Sequence, residues 1–453
     1  MRVLIQLRPG LDLVAAVADP SVVTSASDVA DGLPGVVLDR SFTPVAVPRP
    51  IPAAPGGDPL SLNQPLIYSM APDEASVLVR GEIADDEIST RVSLLPASHR
   101  DVVGVFADPK IEKTLTCGGD DPVGDWHDVE RLLRVADLAA EGLDGSGVAL
   151  AIADTGINAA HVTKALGRGL TIDKERSWSP SGVTGIPGEF DVDHGSMCAF
   201  DALIAAPQAS LIDVSVLLSQ RSGGSELDGL LSDAIAAYAH LRGVLDAQPA
   251  ESRALVISNS WGSFSPRWDF PPGHPGNYSD NPAHPFNVIV GSLAQAGADI
   301  LFAAGNCGRE CKDGRCAYPD RPIAGANSHG RVLSIAGVDT DGDRVGYSSQ
   351  GPGRLTARKP DVCAYTHFSG SRAFGDAEPD SGTSAACPVA AGLVAAIRTQ
   401  WSSAELPPSQ LRTLLRRTAD DRGVVGYDYD YGYGVLDVAG IIAALRRRAA
   451  KAA

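Results

Sequence analysis

The chain has 453 residues, 44% hydrophobic and 21% charged, a globular composition long enough to bury a large core with a smaller one beside it. A formal net charge of −17 argues against nucleic acid as the main partner and suits a soluble protein with a protein or basic peptide substrate. No stretch approaches the roughly 18 apolar residues of a membrane span.

The opening "MRVLIQLRPGLDLVAAVADP" is not a signal peptide, because Gln6, Arg8, Pro9, Asp12 and Asp19 interrupt its apolar run. That predicts a cytoplasmic protein, or a secreted one if a leader has been removed. "RVLIQL" (2–7), "SVLVRGEI" (76–83) and "VVGVFADP" (102–109) read as short strands, and "FTPVAVPRPIPAAPGGDP" (42–59) as a Pro/Gly-rich insertion. After about residue 125 the pattern changes. Apolar runs at 147–156, 209–217, 254–262, 299–306 and 332–339 alternate with helical stretches at 195–206, 227–245 and 287–298. Continuous apolar strands separated by helices predict an α/β fold, a doubly wound and mostly parallel sheet with helices on both faces. In such sheets, sites form at the carboxyl ends of strands.

Polar residues stand where that rule expects them. Asp154 closes "VALAIAD", Ser260 and Gly262 close "LVISNSWG", and Asn306 closes "ILFAAGN". His194 opens a helix in "DVDHGSMCAF". In "SGTSAACPVAAG" (381–392) small residues surround Ser384, and a helix is expected to start there with Pro388 in its first turn. A serine hydroxyl needs an imidazole base to act as a nucleophile, and the imidazole needs a buried carboxylate to orient it. The developing oxyanion needs donors, here the Ser384 backbone N–H and the Asn306 amide.

"AIADTGI" (151–157), "DHGSMCA" (193–199), "SNSWG" (258–262), "FAAGN" (302–306) and "SGTSAACPVAAG" resemble the signature blocks of the subtilisin-like serine proteases, over about residues 125 to 445. The resemblance implies Ser384 as nucleophile, His194 as base and then acid, Asp154 as orienting carboxylate and Asn306 as oxyanion donor. It further implies a cleft lined by Ser258, Asn259, Ser260, Trp261 and Gly262 on one side and by Ala303, Ala304 and Gly305 on the other, where a substrate pairs as an added strand. Ser196 stands where the family usually has threonine and keeps the hydroxyl. No cofactor is required for this chemistry, although structural calcium or zinc is compatible with the family. Asp191 and Asp193 lack the spacing of a calcium loop and read as solvated carboxylates.

"RVLIQLRPG" and "VVGVFADPKIEK" resemble the opening and closing strands of the family's inhibitory propeptides, so residues 1–115 are expected to form an α+β unit that inhibits in cis. An unrelated α+β domain is the alternative. Residues 116–127 are then a linker, with processing between about Lys113 and Asp128. Residues 128–448 are the catalytic domain and 449–453 a tail. Cys307, Cys311 and Cys316 follow Asn306 closely; their spacing admits a disulfide, a zinc site completed from elsewhere, or free thiols. Glu310, Asp313 and Asp320 suggest a preference for a basic substrate residue. The expected function is a serine endopeptidase made in self-inhibited form. The alternatives are a silent or permanently inhibited peptide-binding relative and a transpeptidase or cyclase using the same groups.

Overall fold

A computed structural model describes residues 1–19, 22, 24–30, 32–52, 66–113, 116, 121–219 and 228–452. The far part of the Pro/Gly-rich insertion (53–59) and much of the proposed processing stretch (114–115 and 117–120) lie outside the described residues.

The N-terminal unit is built on an antiparallel five-stranded sheet. Strand β1 (Arg2–Leu7) runs between β6 (Ser76–Glu82) and β7 (Val102–Ala107), while β2 (Val37–Leu38) and β3 (Val45–Val47) pair with β6. The strands β4 (Arg49–Pro52) and β5 (Leu66–Ser69) form a separate hairpin-like pair. Three of these strands coincide with runs legible in the sequence. Both faces of the sheet are used, because successive side chains point to opposite sides. Val3, Ile5, Val79 and Val105 belong to the unit's own core. Leu4, Leu78 and Phe106 belong instead to the core of the larger domain, packed with Leu231, Tyr238 and Ile289.

The strand β8 (Lys110–Glu112) leaves the N-terminal unit and pairs antiparallel with β12 (Asp228–Leu230) of the larger domain. That domain carries a seven-stranded parallel sheet. Its order is β10 (Thr171–Ile172), β11 (Ser210–Val214), β9 (Ala149–Ala153), β13 (Leu255–Asn259), β14 (Asp299–Ala303), β15 (Leu333–Val338) and β16 (Val362–Tyr365). The expected mostly parallel α/β architecture is present. On one face the helix His194–Ala205 packs against the helix Thr383–Arg398; on the other lie Leu231–Asp246 and Pro285–Ala296. The last helix, Val438–Ala452, runs into the stretch expected as a tail. A helix with a reciprocal capping box at Asp125 and Asp128 starts at Trp126, which ends the expected linker slightly early. No helix among the described residues is long and apolar enough to cross a membrane.

The two units meet through buried polar contacts as well as apolar ones. Arg80, almost fully buried, pairs with Asp39 at 3.1 Å and Asp233 at 3.0 Å, and donates to Ser232. Asp108 accepts from the Ser232 N–H and hydroxyl. Burial raises the pKa of both Asp108 and Asp233, the Arg80 charge opposing it. His284, pushed down to about 4 by burial, is a neutral ring whose Nε2 donates to the Ala107 carbonyl.

Candidate active site

Asp154 follows β9, Ser260 follows β13 and Asn306 follows β14, so three side chains meet at the carboxyl edge of adjacent parallel strands. His194 and Ser384 stand at or next to the first residue of two helices packed on each other. The His194 Nδ1 lies 2.8 and 3.0 Å from the two carboxylate oxygens of Asp154. Asp154 also accepts from the Thr155 N–H at 2.8 Å. Asp154, His194 and Ser384 are all buried, with relative exposures of 1%, 5% and 3%. The Ser384 hydroxyl lies 3.4 Å from the Ser260 carbonyl.

Backbone close approach fixes the imidazole. A side chain on Gly195 would come within 2.3 Å of the Gly156 carbonyl, so only glycine lets the histidine helix lie against the turn after Asp154. The Gly195 N–H donates to the Thr155 hydroxyl, and the Ser196 hydroxyl accepts from Asn158. Ser196 thus holds the turn with the oxygen that a threonine would also supply.

Pro388 does not fall in the first turn, as the sequence suggested. The helix begins at Thr383, and Pro388 lies inside it. Its missing N–H leaves the Ser384 carbonyl without the partner that an α-helix provides four residues on. The Ser260 hydroxyl (2.9 Å) and the Cys198 thiol (3.5 Å) fill that vacancy. The proline therefore leaves the Ser384 backbone tied to the residue after β13 and to the histidine helix. Cys198 also lies 3.7 Å from Asp154 Oδ2; burial, and then the Asp154 charge, raise its pKa well above the usual value and keep it a thiol.

The Asn306 amide is oriented through its oxygen. Oδ1 accepts from the Thr383 N–H at 2.9 Å and the Thr383 hydroxyl at 3.0 Å. Nδ2 therefore faces Gly382, where an added Cβ would sit 2.7 Å from it and the backbone has φ +80°. Thr383 also accepts from the Gly305 N–H at 2.9 Å. This positioning role was not apparent in the sequence, nor was that of Asn327, which donates to the Trp261 and Ala303 carbonyls and ties the two cleft walls together. A polar residue beside each functional block was the available signal.

Of the cleft residues expected on the β13 side, two meet groups at the candidate site: Ser260, whose carbonyl lies 3.4 Å from the Ser384 hydroxyl, and Gly262, which pairs with Glu112. The side chains of Ser258, Asn259 and Trp261 do not. Ser258 is buried against Cys387, Asn259 bonds Tyr238 and the Leu301 carbonyl, and Trp261 lies tilted beside Phe286 and edge-to-face with Phe302. Successive side chains point to opposite faces, and both faces are covered: Ser258 meets the helix Thr383–Arg398, while Asn259 and Trp261 meet the layer of Tyr238 and Phe286. On the opposite wall Ala303, Ala304 and Gly305 are buried beside Asn306, Gly305 with φ +93°.

Among the cysteine alternatives, Cys307 and Cys316 are joined in a disulfide with Cα atoms 5.7 Å apart, and Cys311 is disulfide-bonded as well. These thiols are therefore neither free nor a zinc site. The three acidic residues expected to favour a basic substrate side chain each face an arginine of the chain itself: Glu310 faces Arg344, Asp313 faces Arg315, and Asp320 faces Arg354. Asp193, expected to be solvated, pairs with Lys113 at 2.9 Å.

A strand from the N-terminal region pairs with the residue that follows Trp261. Glu112 and Gly262 exchange both backbone hydrogen bonds, at 2.9 and 3.0 Å, while Lys110–Glu112 pairs with β12 on its other side. Farther along, the Thr116 hydroxyl is 3.4 Å from that of Ser381.

A family model described as the subtilase family matches residues 145–434. The chain is 28% identical to a calcium-dependent protease of a Nostoc species over 337 residues, which are 65% of this chain and 46% of that protein. It is 27% identical to subtilisin DY of Bacillus licheniformis over 312 residues (68% and 95%), and 26% identical to furin of Bos taurus over 373 residues (76% and 42%). The chain thus spans about half the length of the calcium-dependent protease and of furin.

Proposed function

Because the chain belongs to the subtilase family, we propose that it is a serine endopeptidase that cleaves peptides through an acyl-enzyme and is made with its own N-terminal region in the cleft. The observation that carries the reading is the buried pair of His194 and Asp154, which the Cys198 thiol bridges to the Ser384 carbonyl, near a strand edge on which an extended segment pairs. Asp154 holds the Nδ1 proton and leaves Nε2 as the base that takes the Ser384 proton. The hydroxyl oxygen then attacks the scissile carbonyl. The oxyanion is met by the Asn306 amide and the N–H at the start of the serine helix, whose dipole adds positive potential. His194 returns the proton to the leaving amine, and water repeats the sequence to release the acid.

Two flanking contacts support self-processing between Lys113 and Thr116. Lys113 is held by Asp193, next to His194, and Thr116 touches Ser381, three residues before Ser384.

The relative's name raises calcium. The candidate ligand set among the described residues is Asp154, His194 and Cys198, a carboxylate with an imidazole and a thiol. Calcium takes oxygen ligands, so this set does not fit it, and no step is derived through a metal. Disulfides persist in oxidising compartments, and the Cys307–Cys316 bridge supports placing the enzyme there in preference to the cytoplasm.

The reading is tested by intact mass after incubation with a fluorophosphonate. A single adduct on the wild type and none on Ser384→Ala supports it. No adduct on a folded chain, even after limited proteolysis of the N-terminal region, contradicts it and favours a silent peptide-binding relative.

A further inference from the structure

The strand in the cleft carries charges that the cleft answers one by one. Glu112 is almost fully buried; its carboxylate lies 3.1 Å from Arg315 Nη1 and 3.6 Å from Lys110 of its own strand. Arg315 sits within the Cys307–Cys316 loop and is held there by Asp313, which accepts from its backbone N–H at 2.9 Å and faces its Nε at 3.4 Å. Lys113, the next residue, points the other way, as an extended strand requires. Its ammonium is 2.9 Å from Asp193 and 5.3 Å from the centre of the Phe374 ring. An aromatic face beside a carboxylate suits a cation better than a neutral side chain.

Main-chain pairing gives an added strand its affinity, whereas the groups that meet its alternating side chains give it specificity. Here the main-chain partner is Gly262, and the side-chain partners are one cation and one anion on opposite sides of the strand. Neither partner comes from the reacting groups. Arg315 is anchored by its disulfide loop, and Asp193 by its position immediately before the histidine helix.

We infer that Arg315 and Asp193 are specificity-determining residues that select peptides with an acidic residue opposite Gly262 followed directly by a basic one. The inference rests on the reading that this cleft cleaves peptides. The sequence Glu112–Lys113 is then the chain's own copy of its preferred substrate, and the cation is selected by Asp193, not by the acidic residues after the pocket wall. The order of the charges matters as much as their presence: a Lys-Glu peptide sets ammonium against guanidinium and carboxylate against carboxylate.

The test is competitive cleavage of three peptides, Ile-Glu-Lys-Thr-Leu-Thr and its Gln-Gln and Lys-Glu counterparts, each with identical flanks. The full chain is used after limited proteolysis of its N-terminal region, with fluorophosphonate labelling run in parallel. Partly buried ion pairs of this kind should give about tenfold per position, so the Glu-Lys peptide should be cleaved roughly 100-fold faster than the Lys-Glu peptide. Arg315→Glu should reverse the preference at the acidic position and keep that for the following lysine; Asp193→Asn should weaken only the latter. Equal cleavage of all three peptides by the wild type overturns the inference and leaves the endopeptidase reading standing. So does labelling of Ser384 with no cleavage of the Glu-Lys peptide. Absence of both label and cleavage overturns the reading and the inference together. The wild-type ratio decides the matter even if either variant fails to fold.

Discussion

In the catalytic sheet all strands run parallel, both faces are covered, and the polar residues that matter lie past one edge, at Asp154, Ser260 and Asn306. In the N-terminal sheet the strands are antiparallel, and buried charge stands on a face, where Arg80 of β6 reaches Asp39 and Asp233. The difference follows from how each sheet is covered. Helices bury a parallel sheet on both sides and leave its strand ends for chemistry. The N-terminal sheet covers one side with its own short helices and gives the other to the helices Leu231–Asp246 and Pro285–Ala296. One sheet is a platform for a site. The other packs on that domain's helices and leads into β8, which pairs with Gly262 and β12.

This contrast can be broken from either side. The largest expected effect is from Asp154→Asn, which should lower kcat about 10⁴-fold by stabilising the wrong imidazole tautomer. N-terminal docking, followed by protection from limited proteolysis, should not change. Arg80→Ala should do the reverse. It leaves Asp233 and Asp39 without their buried partner and should destabilise the docked state by about 3–5 kcal/mol in urea unfolding. Peptide hydrolysis should then rise, because the strand leaves the cleft more often. Asn306→Ala should cost about 10²- to 10³-fold in kcat with little change in KM, since the amide meets charge that exists only in the transition state.

The smallest effect concerns Asp213, which lies under the turn after Asp154 and accepts from the Ile157 and Gly188 N–H groups at 3.1 and 2.9 Å. Burial raises its pKa to about 7. An unfolded aspartate ionises near pH 3.9, so the folded chain retains a proton that the unfolded chain has lost between those values. That contribution is complete below about pH 4 and is lost as pH rises towards 7. Asp213→Asn should keep both hydrogen bonds and remove the titration across that window, read as a flatter Tm against pH.

Much of the catalytic unit was legible because buried parallel strands are unbroken apolar runs, and the polar residue ending each run marks the active edge. The assignment of Ser258, Asn259 and Trp261 to the cleft treated a motif as a surface, although helices cover both faces of this sheet and bury a strand's side chains whichever way they point. Pro388 was placed in a first turn that begins one residue earlier than expected, and the hydroxyl and thiol that replace its missing bond come from elements far away in the chain. Cysteine spacing left three options open because a disulfide depends on where a loop folds back, not on the number of residues between thiols. The N-terminal unit was legible as strands but not as a docked sheet. Nothing local in "KIE" names Gly262 or Asp228–Leu230 as its neighbours.

The most direct measurement is intact mass over time for purified wild type and Ser384→Ala. If the cleft that holds Lys110–Lys113 is the cleft that cleaves, the wild type should yield two fragments divided between Lys113 and Thr116, and Ser384→Ala should stay whole. A wild-type chain that remains uncut while Ser384 takes a fluorophosphonate, or a cut that also appears in Ser384→Ala, would contradict it.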